Sequence, residues 1–278
     1  MSGLRRYPFR VGFRCLQLCG ALGVAALDYF FLIWVRNRSA LLHERTAWLG
    51  RSSARILRGL NVTVTYAGEP PAEGMLVCNH LSYLDIMVLG QRQPVVFVSK
   101  ADVRQWPIIG PLTACAGTLF LRREQRSDVA RVAEAFVPLI AQGAVVAIFP
   151  EGTSSDGRQV LPFRSSLLEP AAANGWRVSP ARISYVIEDG SVEEEVCYWG
   201  DMTFGPHLLN LFSKKRIRAF VAYGEALAPV GVGRKELAGE LHRRVCALAS
   251  EHGCPSASGP RANSSAGTEP LSLRTDTR

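Results

Sequence analysis

Apolar positions along this chain change period twice, and each period predicts a different kind of element. Residues 15–35 are apolar on nearly every face, with Asp28 the one charge. About twenty such residues make a helix as long as a bilayer core is thick. In residues 41–60 the pattern becomes amphipathic: Leu41, Leu42, Trp48, Leu49, Ile56, Leu57 and Leu60 fall in one arc about 180° wide at 100° per residue. Arg51, Arg55 and Arg58 lie opposite, and Arg45 intrudes on the apolar side. From residue 62 the signal turns to strands. Residues 62–66 alternate, and 75–78, 95–98, 118–121 and 144–149 are short apolar runs rich in β-formers, the mark of buried strands. A helix is predicted between the last two, with Ser127 as its cap, Asp128 in its first turn and Gly143 past its end. Its apolar positions Val129, Val132, Ala133, Phe136, Val137 and Ile140 recur at helical spacing. Residues 177–187 and 217–223 read as strands, 205–213 and about 233–252 as helices. The alternation predicts an α/β fold, a mixed sheet flanked by helices. After Pro255 the chain is Ser, Gly, Ala, Pro and Thr with few apolar residues, which predicts a disordered tail. The expected organisation is 1–60 membrane-associated helices, 61–254 a catalytic domain and 255–278 a tail.

Composition narrows the partners. A chain of 278 residues, 47% hydrophobic and 20% charged, can bury one large core and is not wholly disordered. The net charge of +8 suits nucleic acid, anionic lipid or a phosphorylated substrate. No zinc-finger or RNA-binding motif supports nucleic acid, and aromatic residues do not interleave with a basic stripe. The seven cysteines are odd in number and include no Cys-x-x-Cys, so neither a disulfide framework nor a zinc site is indicated. Reduced thiols are expected. Arginines flank the apolar run on both sides: Arg5, Arg6, Arg10 and Arg14 before it, Arg36 and Arg38 after it. The run is too long for a signal-peptide core and continues past any small-residue cleavage site. Basic residues on both flanks fit a segment lying in the headgroup layer as well as a span. The basic amphipathic segment that follows reads as an interfacial anchor, with a helix packed on the core as the alternative.

The candidate chemistry begins at Asn79-His80-Leu81-Ser82-Tyr83-Leu84-Asp85, directly after an expected strand. Five residues of ideal helix turn through about 500°, so His80 and Asp85 would lie roughly 140° apart on one helix. They meet if His80 occupies the turn and Asp85 the first turn of the helix that follows. The carboxylate then fixes the imidazole tautomer and leaves the other nitrogen free as a base. A surface histidine beside a helix-capping aspartate has the same sequence. Downstream stand Gly117-Thr118-Leu119-Phe120-Leu121-Arg122-Arg123, then Phe149-Pro150-Glu151-Gly152-Thr153, then Val178-Ser179-Pro180-Ala181. Gly-x-Ser-x-Gly is absent, which argues against a serine hydrolase.

This ordered set resembles the glycerolipid acyltransferase family, which includes 1-acylglycerol-3-phosphate acyltransferase. Its pattern is Asn-His-x4-Asp, Gly-x-x-Phe-x-x-Arg, Phe-Pro-Glu-Gly-Thr and a hydrophobic block centred on proline. The first three blocks are intact. The fourth departs, with Val-Ser-Pro-Ala where Val-Pro-Val or Ile-Pro-Ile is usual. Lys100, Pro107 and Gly110 also fall where the family tends to place those residues, and the resemblance covers roughly residues 60–225. It implies an O-acyltransferase that moves a fatty acyl group from acyl-CoA or acyl-carrier protein to a lysophospholipid. The first acceptor implied is 1-acylglycerol 3-phosphate, with lyso-ornithine lipid or another lysolipid as alternatives. A non-catalytic lipid-binding protein is disfavoured by the intact His80 and Asp85. The resemblance makes His80 the general base and Asp85 its orienter, and gives Arg123, Glu151, Gly152 and Thr153 to acceptor binding. Arg122 lies on the opposite strand face from Arg123, so one of the two is expected to enter the site. Lys100 and Arg164 are further cation candidates. No cofactor or metal is implied. The partners are the lysophospholipid, the acyl donor and a membrane surface, with acyl-carrier protein as a possible docking protein, and no nucleic acid. The family's two-helix amino-terminal anchor matches residues 1–60. It places the catalytic domain on the cytoplasmic side of the inner or plasma membrane. The aromatic stretch 198–204 fits a lid, a chain-length ruler or simple packing.

Overall fold

The computed structural model describes residues 7–36, 41–106, 108–122 and 126–251. Pro107, Arg123 and the predicted tail lie outside the described residues. Seven strands form one mixed sheet: β1 (Val62–Ala67), β2 (Gly74–Cys78), β3 (Val95–Lys100), β4 (Leu119–Leu121), β5 (Val145–Ile148), β6 (Val178–Ile187) and β7 (Ile217–Tyr223). Their order across the sheet is β1-β7-β6-β2-β5-β3-β4. Every neighbouring pair is parallel except β6 and β7, which run antiparallel from Ala181↔Tyr223 to Ile187↔Ile217. The carboxyl ends of β2, β5 and β3 therefore share one edge, where open α/β sheets place their ligands.

All of β2 and β5 is buried, as strands covered on both faces must be. The two-residue period divides the core accordingly. Leu76, Cys78, Phe97, Ala147 and Ile183 face one layer, with Leu57, Leu84, Val88 and Leu211 packed over them. Met75, Val77, Val146, Ile148 and Val178 face the other, beneath Phe136, Leu168, Leu237 and Leu241. The first layer is built by α1 (Pro8–Arg36), α2 (Leu42–Gly59), α3 (Leu84–Gly90) and α8 (Phe204–Ser213). The second is built by α5 (Arg126–Ala141), α6 (Glu169–Asn174) and α9 (Arg234–Glu251). Two short helices, α4 (Ile109–Cys115) and α7 (Val192–Glu195), lie in connections at the site's edge. Helix α5 starts one residue before the expected Ser127 cap. It ends as expected: Gly143 has φ +76°, and the Gly143 and Ala144 N–H groups close on the Ile140 and Leu139 carbonyls. Pro180, at the centre of the fourth block, is not at an edge of the sheet. It lies inside the central strand β6 opposite Val77, one residue before β6 begins to pair with β7.

The two amino-terminal helices differ from expectation in two respects. Helix α1 begins at Pro8, so Arg10 and Arg14 lie within it rather than before it. The Arg14 guanidinium is buried and donates to the Phe212, Lys214 and Lys215 carbonyls, and Arg10 donates to the Ser213 carbonyl. These carbonyls lie at and just past the end of α8, where intrahelical donors run out. Helix α2 turns its apolar stripe inward: Trp48, Leu57 and Leu60 are buried, and Leu49 and Ile56 pack on the core. The stripe read as lipid-facing thus covers the protein's own sheet. The exposed apolar surface belongs to α1, where Phe9, Phe13, Leu16, Leu27, Phe31 and Trp34 recur at helical spacing. Asp28, the one charge in that run, pairs with Arg51 and Arg55 of α2 at 3.1 and 3.3 Å.

Candidate active site

The chain leaves the sheet after Cys78, but the next side chain does not. Asn79 is buried, and its amide accepts from the Ile183 N–H at 2.7 Å and donates to the Ile183 carbonyl at 3.0 Å. It stands in for one more residue of ladder between β2 and β6. The backbone is thereby free to turn at His80. That turn is held from the β5 side: Glu151 Oε1 accepts from the His80 N–H at 2.9 Å, and the Ser155 N–H donates to the His80 carbonyl at 2.9 Å.

Asp85 is the second residue of α3 and is completely buried. Its Oδ2 accepts from the Leu81 N–H at 2.7 Å, the Ser82 N–H at 3.0 Å and His80 Nδ1 at 2.8 Å. The five-residue spacing is thus that of a tight turn closed by its own carboxylate. Because a carboxylate only accepts, Nδ1 carries the proton and Nε2 presents a lone pair. The ring stacks on Phe149, centroids 4.1 Å apart and planes 14° apart. Among the described residues nothing hydrogen-bonds Nε2, and His80 lines a cavity of about 300 Å³. Such a base can take a proton from a hydroxyl brought to the cavity.

Cavity walls come from three strand ends and an aromatic cluster. Phe97 and Lys100 belong to β3, Thr118 precedes β4, and Gly152, Thr153 and Ser154 follow β5. Gly152 has φ +81°, a conformation that L side chains resist, so this close bend of backbone needs glycine. Tyr83, Tyr198 and Phe204 meet edge to face, and Tyr198, Trp199 and Gly200 line the cavity. The start of the 198–204 stretch is therefore part of the wall, and Phe204 packs on it through Tyr198 and Tyr83. The Tyr83 hydroxyl donates to His207 Nδ1 at 3.1 Å, and His207 Nε2 donates to the Cys197 carbonyl at 2.9 Å. Burial lowers the His207 pKa, which keeps this ring neutral.

A second cavity of about 130 Å³, almost wholly apolar, adjoins the first through Tyr83, Ile86, Ile109, Thr113 and Thr118. It runs to Leu22, Ala25 and Trp48, between α1 and α2. A larger cavity of about 580 Å³ lies at the opposite edge of the sheet, around Pro94, Val95, Ala144 and Val145. It reaches no residue of the His80 cluster.

Of the residues singled out from sequence, His80, Lys100, Gly152 and Thr153 line the cavity and Asp85 lies directly behind it. Glu151 differs from expectation. Its carboxylate is 3% exposed and both oxygens are engaged, Oε1 by the His80 N–H and Oε2 by the Leu161 N–H at 3.2 Å. It grips the main chain at His80 and is not in the cavity lining. Burial pushes its pKa up to about 7 against the pull of those two donors. Arg164 is also not in the cavity wall; its N–H bonds the Pro150 carbonyl and its side chain is exposed. Arg122 follows β4 at an exposed position outside the lining, and Arg123 lies outside the described residues. Sequence reading missed the bracing role of Asn79, and it missed Tyr185, whose hydroxyl donates to Asp85 Oδ1 at 2.6 Å. The available signal was a tyrosine in a buried apolar strand, whose hydroxyl must find a partner. No cluster of metal-ligating side chains occurs among the described residues.

Comparison with known proteins places this geometry. The family model Acyltransferase matches residues 61–184, which contain the His80 turn, the Glu151 grip and most of β6. The chain belongs to the acyltransferase family and is an enzyme of acyl transfer. It is 34% identical to the lyso-ornithine lipid O-acyltransferase of Pseudomonas aeruginosa, over 83% of this chain and 91% of that one. The 1-acyl-sn-glycerol-3-phosphate acyltransferase of Neisseria gonorrhoeae is 30% identical over 54% of this chain and 59% of its own length. The crystal structure of the 1-acyl-sn-glycerophosphate acyltransferase PlsC from Thermotoga maritima superposes with a TM-score of 0.66, covering 91% of this chain and 98% of that one. At 18% identity, that likeness establishes the fold.

Proposed function

We propose that the enzyme transfers a fatty acyl group from a thioester carrier to the hydroxyl of a lysolipid at a membrane surface. The observation that carries this is His80, with Nδ1 tied to a buried carboxylate and Nε2 open to the cavity. Nε2 takes the proton of the acceptor hydroxyl as its oxygen attacks the thioester carbon. The tetrahedral intermediate then collapses, the carbon–sulfur bond breaks, and the proton passes from His80 to the leaving thiolate. No enzyme nucleophile, metal or cofactor enters this scheme, because the acyl carrier is itself a substrate. The apolar cavity beside Tyr83 suits a hydrocarbon chain, since it offers almost no polar surface. Lys100, at the cavity wall, is a cation for a phosphate or carboxylate on the acceptor; Arg123, from the Gly117–Arg123 block, is a second by family resemblance, and Gly152 and Thr153 shape the acceptor's approach.

Lyso-ornithine lipid is the first acceptor to test, because relatives of that name match across most of both chains. The second is 1-acylglycerol 3-phosphate, favoured by the intact Gly117–Arg123 block and by Lys100 at the cavity. The exposed apolar stripe of α1 lies in the headgroup–acyl boundary, with Arg10 and Arg14 holding the helix against the domain and the catalytic domain on the cytoplasmic side. The test is purified enzyme in mixed micelles with labelled acyl-CoA or acyl-carrier protein and each lysolipid in turn. His80→Ala should lose at least a hundredfold in rate. Wild-type protein that acylates none of the lysolipids, or a His80→Ala variant of undiminished rate, would remove the proposal.

A further inference from the structure

Asp85 carries an uneven load. Oδ2 takes three donors, two of them fixed backbone N–H groups, while Oδ1 takes one among the described residues, the Tyr185 hydroxyl. With no exposure to water, the carboxylate has no other way to solvate that oxygen. Tyr185 is itself buried. Burial and the neighbouring Asp85 hold its pKa far above the ordinary phenol value, so the hydroxyl stays protonated and donates. Its position is set by the same segment that carries the base. Asn79 grips β6 at Ile183, and Tyr185 is two residues on, on the same strand face. The base, its carboxylate and the phenol are thus referenced to one another through the end of β2.

We propose that Tyr185 is a positioning residue of the acyl-transfer reaction, its hydroxyl holding the Asp85 carboxylate turned so that Oδ2 meets His80 Nδ1. The inference rests on reading His80 as the general base. The hydroxyl also draws part of the carboxylate's negative charge away from the imidazole. Removing it leaves more of that charge to His80, which favours the imidazolium and raises the pH at which the base becomes active. The other titratable or charged groups facing this pocket are Cys78 on β2, Cys197 after α7, Glu151 after β5 and Arg182 on β6. Burial raises both thiols out of the working range. Glu151 is retained in wild type and variant and hydrogen-bonds the His80 and Leu161 N–H groups, not Asp85 or Tyr185.

The experiment compares kcat, KM and the pH profile of kcat/KM between pH 5 and 9 for wild type, Tyr185→Phe and His80→Ala. Tyr185→Phe should lower kcat about tenfold, the usual weight of a hydrogen bond to a charged group. It should leave KM for both substrates within twofold and move the acid limb to higher pH. If the hydroxyl served only the fold, Tyr185→Phe would lower thermal stability and leave the limb in place. Should Tyr185→Phe not fold, 3-fluorotyrosine at 185 supplies the answer. Its more acidic phenol is a stronger donor and should move the limb to lower pH. A limb that moves in neither protein, with kcat within twofold of wild type, overturns the inference. His80→Ala separates the two levels. If it keeps wild-type activity, the base reading falls; if it is inactive while the Tyr185 proteins match wild type, only the role of Tyr185 falls.

Discussion

Asn79→Ala removes the side chain that prolongs β2, and its cost follows from two distances. The amide satisfies the Ile183 N–H at 2.7 Å and the Ile183 carbonyl at 3.0 Å, in a position 3% exposed. Alanine strands both groups between two strands, where water has no access. Each unsatisfied buried group costs about 1–3 kcal/mol, so the loss should be about 2–6 kcal/mol, a large share of the roughly 5–15 kcal/mol that holds a domain folded. Asn79→Asp is the informative partner. An ionised aspartate keeps the acceptor for the Ile183 N–H but has no donor for its carbonyl, whereas a protonated one has both. The aspartate variant should therefore regain stability as pH falls through its carboxyl pKa, and the alanine variant should not. The assay is urea unfolding in a fixed detergent, followed by tryptophan fluorescence, at several pH values. An alanine variant within about 1 kcal/mol of wild type would mean that Ile183 is otherwise satisfied, and the bracing argument would fail.

Two further outcomes are expected. The Glu151 carboxyl has a pKa raised from 4.5 to about 7 by burial, so the folded state binds its proton more tightly than the unfolded chain does. Its contribution is present below pH 4.5 and is lost as pH rises through about 7, a change of about 3 kcal/mol. Glu151→Gln should therefore gain on wild type by about that amount between pH 4.5 and 8 in denaturant titrations; parallel pH curves would refute it. Ala25→Phe places a ring in the apolar cavity that Ala25 lines, where the residue is fully buried. Competition between labelled acyl donors of different length should then favour shorter chains, and an unchanged length profile would show that the acyl chain lies elsewhere.

The parts of this site legible in the sequence are local ones. His80 and Asp85 meet inside a single turn, so their five-residue spacing carried the geometry. Nothing local connects Asp85 to Tyr185, a hundred positions away, because that contact depends on β6 lying beside β2, and strand order is not written in any one segment. Glu151 was given to the acceptor because its block was legible, but its two carboxylate oxygens are claimed by backbone donors whose positions only the fold sets. The apolar stripe of α2 failed for another reason. A helical face of that width is equally fit for lipid or for a protein core, and only the burial of Trp48 and Leu57 decides between them. The buried strands were found to within a residue or two because both faces are covered, which turns them into unbroken apolar runs.

The pairing of β1 with β7 sets an order of assembly. Val62 meets Ile217, 155 positions later. At a translation rate of about 5–20 residues per second, β1 waits roughly 8–30 s on the ribosome for its neighbour to be made. Helix α1 precedes that gap, so on the proposed reading of α1 as an anchor the nascent polypeptide adsorbs to lipid before β7 exists. On that reading the enzyme completes its folding already tethered, with β7 filling the place between β1 and β6.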